Sequence, residues 1–407
     1  MTSAELRAAL LAGALALATG CGATAGGTTS TTSGGSGDSG TGGSSGTATS
    51  GATLTVSVNG SSCSATYLDK PCVAVTICTP GTSTCQTIPD VLLDTGSYGL
   101  RVFSSLVGLA LPAVASGSGA LGECVQFADG SAQWGPVVTA AVVLGDAAAV
   151  TVPIQLVDAA WGRVPASCGT PETSPSSAGF NGILGVGPFV EDCGATCAAS
   201  SGAGLYWRCT SAGCTATAAP LASQVQNPVA ALPDDGNGVV VSLPAVAAGG
   251  AASASGTLGI GIGTGTGTPT AGTVLALDAY GEFATELSGA SYRAFVDTGS
   301  NGLFFTPPSS SPITACSASY APWFCPSSTR AFTATVSSGA ASAAIDFQLG
   351  NFVSLWRSGN AVFSEIGGDA FGGGTFDWGL PFFLGRDVYV GIEGRASPLG
   401  TGPYVAF

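Results

Sequence analysis

The chain has 407 residues, of which 8% are charged, and its 24 acidic and 10 basic residues give a net charge of −14. This balance excludes a nucleic-acid-binding protein, because such proteins present a basic surface to phosphates. The sequence contains no histidine, which excludes Ser-His-Asp and Cys-His catalysis and most zinc and haem sites. Any catalysis must therefore use carboxylates, hydroxyls, cysteines or the few basic residues.

The N-terminal segment, residues 1–20, predicts a signal peptide. Arg7 precedes an apolar stretch that is too short to span a membrane. Small residues then precede Cys21, and this pattern resembles the lipobox of bacterial lipoproteins, in which the cysteine is acylated. The resemblance implies an exported cell-envelope lipoprotein, at the outer membrane or cell surface, that meets the membrane only through its lipid. An ordinary signal peptide cleaved nearby is the alternative.

The next segment, residues 21–52, is the predicted linker. After the cysteine it consists almost entirely of Gly, Ser, Thr and Ala, and this composition cannot bury enough apolar surface to fold. A flexible tether of this length has a root-mean-square reach of about 30 Å. We expect it to hold a globular body away from a membrane.

The remaining cysteines indicate disulfides. Of the 13 cysteines, those that follow Cys21 are even in number, as expected for paired cysteines in an exported chain. The sequence does not fix the pairing, but close neighbours would staple local hairpins: Cys78 with Cys85, Cys209 with Cys214, and Cys316 with Cys325. A metal cluster is the alternative, but histidine and paired Cys-x-x-Cys spacing are lacking, so we predict no metal site.

Short apolar runs recur between Gly and Pro turn signals over the rest of the chain. This pattern is typical of an all-β protein with few helices. We predict strands at residues 54–58, 73–77, 91–93, 137–144, 151–157, 239–243, 274–277, 332–336 and 344–349.

The most informative feature is a motif that occurs twice. Residues 91–100 and 294–303 each form an apolar run that leads into Asp-Thr-Gly-Ser-x-Gly-Leu. Two aspartates brought together cannot both ionise easily, so they would share one proton across a bound water. The ionised member would take a proton from that water, which attacks a peptide carbonyl, while the protonated member supports the oxyanion. We therefore predict Asp94 and Asp297 to be the catalytic pair.

The residues beside the two aspartates are predicted to support them. Each glycine lets the backbone turn tightly next to a carboxylate. Each serine hydroxyl can orient a carboxylate, and each threonine hydroxyl can brace its loop. The predicted supporting residues are Thr95, Gly96, Ser97, Thr298, Gly299 and Ser300.

Three further segments accompany the repeated motif in a distinctive order. Residues 124–131, followed by Trp134 and a glycine, resemble a flap hairpin, while residues 181–187 and 382–389 resemble hydrophobic-hydrophobic-Gly elements. Together with the two Asp-Thr-Gly-Ser copies, they resemble the pepsin-like aspartic proteases over roughly residues 53–407. In that family each Gly element supports the aspartate loop of its own lobe.

This resemblance implies a bilobal all-β fold, with an N-terminal lobe at 53–235, a C-terminal lobe at 236–407 and a cleft between them. It implies a monomeric endopeptidase that needs no cofactor and binds a peptide or protein substrate beneath the flap. The flap residues would be Phe127, Asp129, Gly130 and Trp134.

Two positions depart from the pepsin pattern. Phe127 stands where the family has a flap tyrosine, and Arg101 where it has the tryptophan that bonds that tyrosine. Both ends of one hydrogen bond are changed, so the fold need not contain an unsatisfied group. Trp134 either replaces the missing aromatic or is a core residue. The alternative function is a catalytically inactive pepsin-like lipoprotein that binds a peptide or glycan in the cleft.

A second resemblance rests on residues 76–82, 224–229 and 376–383. These runs are similar to an uncharacterised bacterial family of exported, often lipobox-bearing proteins. That resemblance implies a fold and a location, but no established activity.

Overall fold

The computed structural model describes residues 51–64, 67–264, 269–370 and 373–407. The predicted signal peptide, Cys21 and nearly all of the predicted linker lie outside these ranges. Within them, no helix combines the length and apolar character needed to cross a membrane. The fold is all-β, as the sequence predicts, and each of the predicted strands is confirmed. Most bounds shift by one to three residues, but the strands predicted at 91–93 and 137–144 begin at Cys85 and Ala132.

The described residues form 25 strands and four short α-helices. The first strands are β1 (Thr53–Val58), β2 (Pro71–Cys78), β3 (Cys85–Asp94), β4 (Tyr98–Phe103), β5 (Ala115–Ser116), β6 (Gly119–Gln126), β7 (Ala132–Val143), β8 (Val150–Val157), β9 (Gly182–Val186), β10 (Tyr206–Thr210) and β11 (Gly213–Ala216). The later strands are β12 (Gly238–Leu243), β13 (Ala254–Ile260), β14 (Val274–Ala276), β15 (Phe283–Leu287), β16 (Ala290–Val296), β17 (Leu303–Phe305), β18 (Arg330–Ser338), β19 (Ala341–Leu349), β20 (Gly367–Gly368), β21 (Thr375–Trp378), β22 (Arg386–Gly391), β23 (Ala396–Ser397), β24 (Gly400–Thr401) and β25 (Tyr404–Ala406). The helices are α1 (Pro175–Ala178), α2 (Gly194–Ala199), α3 (Phe352–Trp356) and α4 (Leu380–Phe383), and single 3-10 turns lie at Ser104–Leu106, Ala166–Cys168, Leu221–Ser223 and Ala318–Tyr320.

Six strands of the first half close into a barrel. Their order is β2-β3-β9-β4-β8-β7, and β7 pairs again with β2. Val75, Leu93 and Val102 on these strands are fully buried in the main hydrophobic cluster. Because all six strands have hydrogen-bonded neighbours on both sides, the barrel holds the loop after β3 in a fixed position.

The second half contributes an open sheet of seven strands in the order β19-β18-β15-β16-β21-β17-β20. The two halves are joined by β1, which pairs with β2 on one side and with β13 along its whole length on the other. From β13 the sheet continues through β12, β22 and β25. Strands from both halves of the chain therefore share one large sheet, while the seven-stranded sheet of the second half is a separate sheet.

The same three-strand arrangement occurs in both halves. β9 lies between β3 and β4, parallel to the first and antiparallel to the second. β21 lies between β16 and β17 with the same two orientations. In each half, an Asp-Thr-Gly-Ser loop connects the outer strands across the end of the central strand. The repeat seen in the sequence is therefore a repeat of local structure.

The prediction for the second Gly element is wrong. Residues 382–389 lie at the end of α4, in the turn that follows and in β22. The central position is occupied by β21 and by Gly379 after it, where a Cβ would lie 2.1 Å from Gly302 O. Asp377 interrupts the apolar run of β21, and for this reason the later, wholly apolar run resembled the element more closely.

Disulfides staple several of the hairpins. The described residues form six disulfides: Cys63–Cys72, Cys78–Cys85, Cys124–Cys168, Cys193–Cys197, Cys209–Cys214 and Cys316–Cys325. The three pairs suggested by proximity in the sequence are confirmed. Two of them join residues directly opposite each other, on β2 with β3 and on β10 with β11.

Candidate active site

The two Asp-Thr-Gly-Ser loops meet face to face. Asp94 ends β3 and Asp297 follows β16, and their exposed fractions are 2% and 0%. A Cβ on Gly96 would lie 2.7 Å from Asp297 Cγ, and a Cβ on Gly299 would lie 2.9 Å from Asp94 Cγ. The glycine of each loop thus lies directly against the carboxyl group of the other half.

The threonines of the two loops exchange hydrogen bonds. The backbone N–H of Thr95 donates to Thr298 Oγ1 at 3.1 Å, and the N–H of Thr298 donates to Thr95 Oγ1 at 3.0 Å. Each hydroxyl then donates onward, from Thr95 to the carbonyl of Val296 at 3.1 Å and from Thr298 to that of Leu93 at 2.7 Å. These four buried bonds fix the position of each loop relative to the other.

Backbone N–H groups hold one oxygen of each carboxyl group. The N–H of Gly96 donates to Asp94 Oδ1 at 2.7 Å, and the N–H of Gly299 donates to Asp297 Oδ1 at 2.7 Å. The two glycines therefore do two things: they allow close approach, and they orient the carboxyl groups through the loop backbone.

Serine hydroxyls contact the other oxygen of each carboxyl group. Ser97 Oγ is hydrogen-bonded to Asp94 Oδ2, and Ser300 Oγ lies 2.8 Å from Asp297 Oδ2. The halves then differ, because Ser300 Oγ also lies 2.5 Å from Asp377 Oδ2 on β21. Sequence reasoning missed this third carboxyl, although an aspartate inside an otherwise apolar run was a usable signal.

The pKa of Asp297 is raised well above that of an ordinary aspartate. Burial is the largest cause, followed by the charges of Asp94 and Asp377 and by a hydrogen bond with the Asp94 carboxyl, while the bond from Ser300 lowers it. Two carboxyl groups in hydrogen-bond reach of each other hold their protons as a pair. The arrangement can therefore keep one acid and one carboxylate side by side.

The predicted flap forms the tip of the β6–β7 hairpin. Phe127 donates its backbone N–H to Ser131 O at 2.9 Å, and Gly130 adopts a positive φ of 84° in the turn. Asp129 accepts hydrogen bonds from the Ser131 N–H and hydroxyl, and its partial burial raises its pKa. Phe127, Asp129 and Gly130 are thus in one tight turn.

Trp134 lies further back on the same hairpin. It is opposite Cys124 on the neighbouring strand, is fully buried, and donates its indole N–H to the carbonyl of Trp161 at 2.8 Å. The two tryptophan rings are 5.6 Å apart between centroids. Trp134 is therefore a packing residue of the hairpin, the second of the two roles considered for it.

Arg101 takes part in a buried ion cluster. Its Nη2 lies 2.6 Å from Glu123 Oε1 on β6 and 2.9 Å from Asp192 Oδ2, and Tyr206 donates its hydroxyl to Asp192 Oδ1 at 2.6 Å. Burial and then the charge of Glu123 raise the pKa of Asp192, against the lowering effect of Arg101. Since β6 is a strand of the hairpin whose tip is the predicted flap, this cluster ties that hairpin to β4. No sequence spacing connects these residues, so they were not predicted as a set.

Tyr67 was also missed from the sequence. Its side chain is buried, and its hydroxyl has no hydrogen-bond partner among the described residues. Burial, followed by the charges of Asp90 and Asp94 and that of Asp129, raises its pKa. The phenol therefore lies within electrostatic reach of both the aspartate pair and the flap tip.

One group of side chains has donor atoms close enough for a metal. Atoms of Cys63, Cys72 and Asp90 lie within 4.8 Å of one another. The two sulfur atoms form a disulfide, and Lys70 Nζ lies 2.6 Å from Asp90 Oδ1. The group therefore lacks the free thiolates that would bind a metal.

Comparison of the sequence with known proteins and protein families identifies the family of this chain. Among curated proteins, no sequence matches this chain. The family described as "Protein of unknown function (DUF3443)" matches residues 48–407. The match spans both Asp-Thr-Gly-Ser loops and the flap hairpin, and it confirms the expected membership of an uncharacterised family. The chain therefore belongs to the DUF3443 family of proteins of unknown function.

Proposed function

We propose that this protein is an exported, lipid-anchored aspartic endopeptidase with a pepsin-like arrangement of two lobes, 53–235 and 236–407. The observation that carries the proposal is the reciprocal contact of the two loops, in which Gly96 lies against Asp297 and Gly299 against Asp94. A binding protein would not need two carboxyl groups held in buried, proton-sharing contact, because such a pair is costly to bury.

The chemistry follows from the proton shared by the pair. With one proton between Asp94 and Asp297, the ionised carboxyl group acts as general base on a water held between them. The protonated one donates a hydrogen bond to the carbonyl oxygen of the scissile peptide as it becomes an oxyanion. The N–H groups of Gly96 and Gly299 keep Oδ1 of each carboxyl group in place, so little reorganisation accompanies the reaction.

A peptide substrate would lie extended between the two halves, beneath the hairpin tip at residues 127–131. Because the two aspartates are 2% and 0% exposed, the site must open before a peptide carbonyl reaches them, and the hairpin tip is the segment that we propose to move. The buried ion pair of Arg101 with Glu123 anchors the base of this hairpin. Motion is therefore expected at the turn containing Phe127 and Gly130 rather than at the strands.

The experiment is cleavage of a diverse peptide mixture by the purified protein between about pH 3 and 7. Asp94→Asn and Asp297→Asn are each expected to lower the cleavage rate by at least about 100-fold, and a statine-type inhibitor should block the wild type. Asp387→Asn is the matched control, because that carboxyl group is exposed on β22.

Two outcomes would contradict the proposal. Cleavage that survives either dyad substitution would show that another protein or site is responsible. No cleavage at any pH by protein with a cooperative unfolding transition would favour the alternative, a lipoprotein that binds a peptide or glycan in the cleft. Capture of labelled peptides and glycans would then be the next measurement.

The lipid anchor is tested separately. Cys21→Ser is expected to abolish incorporation of labelled fatty acid and to release the protein from the membrane fraction. Cys63→Ser is not a suitable control, because Cys63 forms a disulfide; Ser44→Ala, in the predicted linker, is neutral and leaves the cysteine intact. Fatty-acid labelling that persists in Cys21→Ser would contradict the lipobox assignment.

A further inference from the structure

The second half of the dyad contains a carboxyl group that the first half lacks. Asp377 on β21 is 4% exposed, and its Oδ2 lies 2.5 Å from Ser300 Oγ. The same Ser300 Oγ lies 2.8 Å from Asp297 Oδ2. A single hydroxyl therefore bridges the catalytic Asp297 and a third buried aspartate.

The number of protons limits how this bridge can be made. A serine hydroxyl has one proton to donate and two lone pairs to accept with. Ser300 can donate to only one of the two carboxyl oxygens, so the other contact needs a proton on the carboxyl group itself. Two ionised carboxylates facing one hydroxyl oxygen at these distances would leave one of them in repulsive contact.

The surroundings favour Asp377 as the protonated member. Its Oδ1 has no hydrogen-bond partner among the described residues, and an ionised carboxylate with an unpartnered buried oxygen is more costly than a neutral acid. Burial is the largest cause of its raised pKa, the bond from Ser300 lowers that pKa, and the charge of Asp94 raises it. Asp297, in contrast, accepts a backbone N–H on its other oxygen at 2.7 Å.

We propose that Asp377 is a neutral acid that donates its proton to Ser300 Oγ and so makes Ser300 a fixed hydrogen-bond donor to Asp297. Asp377 is then a positioning residue: it acts on the dyad through Ser300 and touches no substrate. This inference rests on the proposed function for its catalytic meaning, but the location of the proton can be tested without any activity.

The first half of the molecule provides an internal comparison. Asp377 is paired with Phe295 on β16 and Phe304 on β17. The other carboxyl groups that interact with it are those of Asp94, through its charge, and Asp297, through its charge and the shared Ser300 hydroxyl. The corresponding register position in the first half is Ile183, which is paired with Leu92 and Arg101 backbone. There Ser97 has only Asp94 as a carboxyl partner. Asp377→Ile therefore converts the second half to the pattern of the first.

A consequence of this arrangement is that ionisation of Asp377 at higher pH should lower the activity of the aspartate pair. When Asp377 loses its proton, it becomes an acceptor and competes with Asp297 for the single hydroxyl proton of Ser300. Asp297 would then lose a donor that stabilises its ionised form, in the presence of an additional negative charge. Catalysis by wild-type protein is therefore expected to fall at a lower pH than in a variant without this titrating group.

The first test locates the proton by infrared difference spectroscopy of the full chain at neutral pH. Wild type minus Asp377→Asn is expected to show the carbonyl stretch of a protonated carboxylic acid, and wild type minus Asp377→Ile should show the same band. A carboxylate band in its place would overturn the proposal. The result holds whether or not the protein cleaves peptides, so failure of the proposed function is distinguishable from failure of this inference.

The second test is the pH profile of kcat/KM. Asp377→Asn and Asp377→Ile are both expected to move the alkaline limb of the profile upward by about one pH unit. Asp69→Asn is the matched control, because Asp69 is another buried acid with a raised pKa. Its carboxyl group accepts a hydrogen bond from the backbone N–H of Phe363. The proposed effect of Asp377 on the dyad would be overturned if the alkaline limb of the pH profile stayed in place in both Asp377 variants. It would also be overturned if the limb moved equally in Asp69→Asn.

Discussion

Gly96 lies so close to Asp297 that a Cβ would be 2.7 Å from the carboxyl carbon and 2.9 Å from both carboxyl oxygens. The contact joins the loop of one half to the carboxyl group of the other. It explains physically why both copies of the motif have glycine after Asp-Thr: any side chain would separate the two carboxyl groups.

Gly96→Ala is the first prediction. The added methyl group must displace the carboxyl group of Asp297, so we expect loss of peptide cleavage, whereas Gly373→Ala should leave cleavage unchanged because no described atom would lie within 4 Å of its Cβ. Cleavage rates of the two variants at equal folded concentration provide the measurement. Equal activity would show that the loops are not in contact in solution.

The threonine exchange between the loops gives a stability prediction. Thr298→Val removes the hydroxyl that accepts from the Thr95 N–H and donates to the Leu93 carbonyl. Each buried group left unpartnered costs about 1–3 kcal/mol, so the free energy of unfolding should fall by that order. Thr298→Ser keeps the oxygen and is the control. Urea denaturation that gives the same midpoint for the Val and Ser variants would contradict this.

For the Arg101 cluster, we expect one substitution to lower the free energy of unfolding more than three substitutions together. Arg101→Met leaves Glu123 and Asp192 buried without their cation, and breaking a buried pair in this way costs about 3–5 kcal/mol. A triple variant that adds Glu123→Gln and Asp192→Asn should recover most of the loss. Chemical denaturation of both variants checks the order, and a single variant less than about 1 kcal/mol below wild type would refute it.

Because the fold contains buried acids, we expect the free energy of unfolding to decline from mildly acidic to neutral pH. Burial raises the pKa of Asp69 well above its ordinary value, so the folded state binds a proton that the unfolded state releases near pH 4. Its contribution is complete below that pH and is lost as the pH rises through the raised pKa. The free energy of unfolding should fall over this window.

Asp69→Asn is the variant that tests the pH dependence. An amide oxygen can still accept the Phe363 N–H, which Asp69 Oδ1 accepts at 2.8 Å, but the side chain no longer titrates. We expect a smaller decrease in the free energy of unfolding between about pH 4 and 7. Denaturation curves with the same pH slope as wild type would show that Asp69 is ionised in the folded protein.

Much of the fold could be predicted from the sequence because strand periodicity is local. β1 has the burial pattern of alternating exposed and buried residues, and β19 alternates along its whole length, so each strand was recognisable by itself. Closure of the barrel by β7 and β2 depends on contacts between distant residues, and no local pattern specifies them. The same limit explains why β21 was not recognised as a central strand.

The candidate site likewise contains residues that the sequence predicts and residues that only the folded structure brings together. The aspartates, glycines and hydroxyl residues of the two loops were predictable because the repeat marks both copies at once. Arg101, Glu123 and Asp192 come from three separate segments and are joined only by packing. Asp377 was visible in the sequence, but its meaning depends on the 2.5 Å contact with Ser300, which the spacing of the two residues does not indicate.

The late position of β21 has a consequence for the timing of assembly. The first-half loop has its central strand by Val186, so the barrel can close while the rest of the chain is still being made. In the second half, β16 and β17 are complete by Phe305, but the strand between them begins only at Thr375. Such non-local pairing forms slowly and late. We therefore expect the two aspartates to be brought together only when nearly the whole chain has emerged, so that any activity of the pair is withheld from unfinished chains.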